Sequence, residues 1–126
     1  MSGQKEWAAG ALANLALDDG NSVAIVQAGG VPPLIALVEG GTDGQKEKAA
    51  GALRSLAFND ENEVLIAQAG AIAPLVTLVQ SGTDGQKEEA AGALRNLAFN
   101  DENQVLIARA RRHVGASARW GVGMWA

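Results

Sequence analysis

Residues 85–110 read GQKEEAAGALRNLAFNDENQVLIARA, and residues 44–69 read GQKEKAAGALRSLAFNDENEVLIAQA. The two strings agree at 22 of 26 positions and differ only at Lys48/Glu89, Ser55/Asn96, Glu63/Gln104 and Gln68/Arg109. An earlier copy, residues 3–28, agrees with 44–69 at 17 positions. The triplet Gln-Lys-Glu sets the spacing: it begins at Gln4, Gln45 and Gln86, a period of 41 residues. A period near 40 that carries helical patterning points to an all-α solenoid, in which each unit buries its apolar face against its neighbours.

Each unit divides into three helices. Thr42 with Gln45 three residues later is a capping box, repeated as Thr83 with Gln86, and opens the longest helix. Ala49, Leu53, Leu56 and Ala57 then follow at i, i+4, i+7 and i+8, one apolar helical face. Asn59-Asp60 stops that helix, and Asp60 with Glu63 predicts a weaker box for the next one, whose apolar side is Val64, Leu65 and Ile66. Gly70 suits a left-handed C-terminal cap. Pro74 suits the first turn of a further helix carrying Leu75, Val76, Leu78 and Val79, which Gly82 closes. Gly10, Gly51 and Gly92 recur inside the longest helix, where each costs about 1 kcal/mol against Ala. A neighbouring helix or a ligand backbone coming too close for a Cβ would account for them.

Composition bounds the function. The chain of 126 residues fits one domain, and with few aromatics and no Tyr its core must be aliphatic. No apolar run approaches the ~18 residues of a membrane helix, and the start, MSGQKEWAAG, does not look like a signal peptide. The absence of Cys removes disulfides and thiolate chemistry and fits a cytoplasmic or nuclear location. All 14 acidic residues and seven of the ten basic ones fall in residues 1–110, a net charge of −7; Arg111, Arg112 and Arg119 follow with no acid. An acidic body disfavours nucleic acid and permits a cationic peptide. The single His, His113, stands in the off-pattern end, so no base accompanies a nucleophile, and no calcium or phosphate loop is present. Neither an enzyme nor a cofactor is expected.

The stretch 59–98, with its segments AGAIAPLVTLV and AAGALRNLA, resembles an armadillo repeat. The resemblance covers residues 3–110 and implies a right-handed superhelix of about two and a half repeats: a third helix at 3–17, units at 18–58 and 59–99, and the first helix of a cut unit at 101–110. It implies that the third helices line a concave groove that binds an extended peptide segment of a partner protein. An Asn that holds the peptide backbone in the family corresponds to Asn14, Ser55 and Asn96. A carboxamide has the donors and acceptor to hold a peptide bond in two places. The nuclear-import members carry Trp four residues earlier, where this chain has Gly10, Gly51 and Gly92, which speaks against binding nuclear-localisation signals. Ser55 interrupts the Asn series.

One turn further back on the same face stand Trp7, Lys48 and Glu89. Trp7 is either a groove anchor or a shield for the exposed side of its helix. Arg54 and Arg95 are expected either to be solvated or to pair with Glu47 and Glu88 on a neighbouring turn at modest energetic value. Residues 111–126 break the repeat, and Val114, Trp120 and Trp125 are candidates for capping the array or for self-association. Two functions follow as expectations: a peptide-binding interaction module, or a truncated or engineered armadillo fragment that forms homo-oligomers through uncovered ends.

Overall fold

A computed structural model describes residues 2–118, with side chains for residues 3–112. The described residues form helices α1 Ser2–Leu15, α2 Asp19–Gln27, α3 Val31–Gly40, α4 Asp43–Leu56, α5 Asp60–Gln68, α6 Ile72–Ser81, α7 Asp84–Leu97 and α8 Asp101–Ala118. Both capping boxes are made: Thr42 Oγ1 accepts from Gln45 N at 3.2 Å while Gln45 Oε1 accepts from Thr42 N at 3.0 Å, and Thr83 with Gln86 repeats the distances. Asn59, not Asp60, caps α5: its Oδ1 accepts from the backbone N–H of Glu61 and of Asn62 at 3.0 and 3.3 Å. Asp60 lies inside the helix, where its charge favours the N-terminal turn.

The chain turns sharply between first and second helices, by 82° from α2 to α3 and by 87° from α5 to α6. The left-handed glycines Gly29 (φ +86°) and Gly70 (φ +94°) end α2 and α5 ahead of these corners. The corresponding position after α8 holds Arg111. A side chain there makes the left-handed conformation costly, and α8 continues past Ala110, where the repeat placed its end, to Ala118. Helix α8 packs on α6, the second helix that α3 contacts from the preceding unit. The side chain of Val114, together with Trp120 and Trp125, lies outside the described residues.

Third helices stack directly, α1 on α4 and α4 on α7, with α3 and α6 laid against α4 and α7. The buried layer is aliphatic: Leu34, Leu53, Leu56, Ile66, Leu75, Val76 and Leu97, with Ala49, Ala50, Ala52, Ala90 and Ala93 where α4 and α7 are covered. Leu65, expected on the apolar side of α5, is exposed because that short helix buries only the stripe of Asn62, Glu63 and Ile66.

Buried amides join one unit to the next. Asn62 Nδ2 donates to Ser22 Oγ at 2.8 Å and to Leu56 O at 3.0 Å. One period later Asn103 Nδ2 donates to Glu63 O and Leu97 O, both at 3.0 Å. Gln86 Nε2 reaches back to Asp43 O at 3.0 Å, and Asn96 Nδ2 to Arg54 O at 2.9 Å. At the position of Asn96 in the preceding unit, Ser55 is too short for that reach and donates instead to Gly51 O within its own helix, at 3.2 Å. Asn62→Ala removes two donated bonds and leaves Leu56 O with only the long contacts from Ser22 Oγ at 3.5 Å and Asn59 N at 3.4 Å, so it should cost about 1–3 kcal/mol in urea unfolding. Ser55→Asn restores the longer reach toward the Ala13 carbonyl, and the same measurement should show a gain of about 0.5–1.5 kcal/mol.

Candidate functional site

The third helices carry all six groove positions, three along each of two rows. In the first row Asn14 is exposed, Ser55 half-buried, and Asn96 buried with one amide N–H committed to Arg54 O. In the second row Trp7 is 73% exposed, Lys48 is exposed and Glu89 is half-buried. A cleft of about 270 Å3 brings together Asn14, Ser55, Lys48 and Glu89, with Glu47, Arg54 and Leu17 on its walls. A second cleft of about 310 Å3 continues from it toward the C-terminal ends of the third helices and holds Ser55, Asn96, Leu17, Phe58, Arg54 and Arg95. Trp7 lines neither cleft. A larger cleft of about 640 Å3 lies between α3, α6 and the start of α7 and contains none of the six.

Charged side chains cross between third helices rather than pairing along one helix. Arg54 Nη1 lies 3.5 Å from Glu89 Oε1 of the next unit, not against Glu47. Seven residues separate Glu47 from Arg54, two turns of one helix, whereas Glu89 stands beside Arg54 across the helix contact. The pair is about one-third exposed on both sides and contributes little to stability. Its side chains lie beside two of the three internal glycines; at Gly10 a Cβ would meet only Lys48 Cδ at 3.8 Å, an ordinary contact. A Cβ on Gly92 would stand 2.5–2.7 Å from Arg54 Nε, Cδ and Cζ, and one on Gly51 would stand 2.8 Å from Glu89 Oε2. The neighbouring helix, through these two side chains, fills the space a Cβ would need. Near the other end of the helices, the Glu6 carboxylate lies over Gly44 and that of Glu47 over Gly85, each at the N-terminal turn of the following third helix, where a negative charge is favourable.

The row Leu17, Phe58 and Phe99 was not legible as a surface feature, because each follows an apolar run and looks like its continuation. The structure exposes them by 77, 75 and 74%, at the C-terminal ends of α1, α4 and α7. The signal was available: they recur at 41 residues but fall off the i, i+4, i+7 stripe that is buried. Away from the groove, Glu63 is buried on α5, and burial together with the Asp60 carboxylate pushes its carboxyl above the usual range. Among the described residues no group of three or more His, Cys, Asp or Glu is placed to hold a metal ion. No single helix among them is long and apolar enough to cross a membrane.

The model of the armadillo/beta-catenin-like repeat matches residues 18–58 and 59–99. Solved structures agree in fold. An engineered protein superposes with a TM-score of 0.84 at 35% identity, over 87% of this chain and 46% of that one. A designed armadillo repeat protein in complex with the peptide (KR)4 gives 0.78 at 28% identity, over 83% and 45%. A further designed armadillo repeat protein gives 0.80 at 27%, over 84% and 46%. The chain thus spans about half the length of the solved structures it matches. Among curated proteins none matches. Two consecutive matched repeats, with the third helices stacked and the units locked by buried amides, make the chain a member of the armadillo repeat family.

Proposed function

We propose that the chain is a non-enzymatic interaction module that holds an extended peptide across α1, α4 and α7. The observation that carries this reading is the continuity of the two clefts along the third helices, with Asn14, Ser55 and Asn96 at one register. Adjacent packed helices lie about 8–10 Å apart, and an extended strand rises about 3.3 Å per residue. A peptide laid across the helices therefore presents a backbone amide to each unit every two to three residues. Asn14 keeps an exposed carboxamide for it. Asn96 already gives one N–H to Arg54 O, which fixes the direction of its remaining polar atoms. The array's acidic excess favours a cationic segment at long range, and the similar designed protein in complex with (KR)4 supports that class of ligand.

A second reading, self-association, rests on a separate observation. The outer side of α1 and α3 carries an apolar cleft of about 380 Å3 lined by Ala8, Ala9, Leu12, Pro33, Leu34 and Leu37. Such a surface stacks favourably on another helical repeat, including one from a second copy.

Two experiments separate these readings. Labelled extended peptides, basic and neutral, should bind the wild type; Asn14→Ala should weaken binding about 3- to 10-fold with unchanged thermal stability, and Asn96→Ala should weaken it at least as much. No binding, or binding indifferent to both substitutions, removes the groove mechanism. Sedimentation at high micromolar concentration should give a mass above the monomer, and Leu12→Glu should lower it; a strictly monomeric wild type ends the second reading.

A further inference from the structure

The apolar cleft on the outer side of α1 and α3 is walled by Ala8, Ala9 and Leu12 of one helix and Pro33, Leu34 and Leu37 of the other, and Lys5 is the one charged residue on its walls. One period of 41 residues further along, the same positions are Ala49, Ala50, Leu53, Pro74, Leu75 and Leu78, with Lys46 for Lys5. There a helix fills the space: α3 lies against both α4 and α6. Exposure records the difference. Ala8 is exposed, and Leu12 and Leu37 are half-buried. Ala49 and Leu53 are sealed, and Leu78 is 4% exposed. The same apolar wall therefore stands twice in the array, once under a helix and once open among the described residues.

The helix that covers the second wall shows what the first one fits. In α3, VPPLIALVEG, the residues Val31, Ile35 and Val38 stand at i, i+4 and i+7. None of them lines the open cleft, and all three are buried. The next residue, Glu39, shares a cleft with Lys46.

We infer that the open cleft is a docking seat for one helix of a partner protein, which lies on α1 and α3 as α3 lies on α4 and α6. The helix is about ten residues long, as α3 is, with an apolar i, i+4, i+7 stripe and a carboxylate next to the end of that stripe, set toward Lys5. An amphipathic helix laid in an apolar groove binds through such anchors, and covering the aliphatic wall is favourable in proportion to its area. The seat is the cleft invoked above for self-association, and its occupant is different. In a folded second copy the stripe of α3 is already buried, so the seat takes a helix that no array holds. A helix this short is marginal alone and orders as it docks.

The probe is a fluorescein-labelled peptide of residues 28–41, AGGVPPLIALVEGG. Fluorescence anisotropy with the full chain, at concentrations where sedimentation shows monomer, should give saturable binding. The same peptide carrying Val31→Ser, Ile35→Ser and Val38→Ser should bind about tenfold or more weakly. In the chain, Ala8→Glu lies at an exposed position and should weaken binding about tenfold or more without shifting the melting temperature. Lys5→Glu should weaken it about 2- to 5-fold, and Glu39→Lys in the peptide should recover the loss. Absence of saturable binding, or equal binding of the Ser-substituted peptide, overturns the seat. Binding indifferent to both Ala8→Glu and Lys5→Glu puts the helix elsewhere and overturns it too. A chain that stays monomeric at high micromolar concentration yet binds the peptide at this cleft ends the self-association reading and leaves the seat standing. A chain that associates but takes no peptide does the reverse.

Discussion

Direct stacking of one third helix on the next sets everything else in the molecule. The contact is made by small side chains: Ala9 on α1, Ala49, Ala50 and Ala52 on α4, Ala90 and Ala93 on α7. Small residues bring the axes close, and closeness has consequences on the outer side of the contact. The long side chains of Arg54 and Glu89 lie over the neighbouring helix at Gly92 and Gly51, where a Cβ would make them shift. A glycine inside a helix weakens it by about 1 kcal/mol relative to Ala, and the capping boxes at Thr42 and Thr83, each a pair of bonds to otherwise unpaired N–H groups, act in the opposite direction. Local structure and stacking are thus balanced within the same fourteen-residue helix.

Aliphatic packing alone would leave the register between units weakly defined, because Ala and Leu surfaces slide at little cost compared with polar contacts. The buried amides remove that freedom. Asn62 and Asn103 each tie the end of a third helix to the first helix of the preceding unit, through a carbonyl the helix cannot satisfy itself. A shift by one residue would bury the amide without a partner, at about 1–3 kcal/mol. Asn96 does the same on the groove side. The residue for which the family resemblance implied a peptide clamp is therefore a structural tie, its side chain held in one orientation. Fixed orientation would lower the ordering cost of the binding proposed for it.

The period, the three-helix unit and the capping boxes were legible because they depend on residues close together in the chain or on exact recurrence. Features that depend on the adjacent unit were not. Nothing near Gly51 in the sequence announces Glu89, which stands 38 positions away and becomes its neighbour only after stacking. The same distance hides the partners of Asn62 and places Arg54 on Glu89 instead of Glu47. The cap of α5 moved by one residue because Asn59 and Asp60 both carry capping oxygens, and only the backbone conformation chooses between them. The length of α8 goes with the loss of two residues that end the helix in the other units: Arg111 stands for the left-handed Gly29 and Gly70, and Gly115 for Pro33 and Pro74.

Function in such an array is distributed by the same period that builds it. Every surface residue that recurs at 41 forms a row across the helices, so a ligand that meets one member meets all of them. Rows on the buried stripe must keep their chemistry from unit to unit, and Ala49/Ala90 and Leu56/Leu97 do. Rows on the groove are released from that requirement. Trp7/Lys48/Glu89 changes from aromatic to cation to anion, and Asn14/Ser55/Asn96 alternates. Leu17/Phe58/Phe99 is the exception, apolar throughout yet exposed, at a place where no packing demands it. The core does not impose that exposure, and the peptide proposed to lie across the third helices would meet all three positions at once.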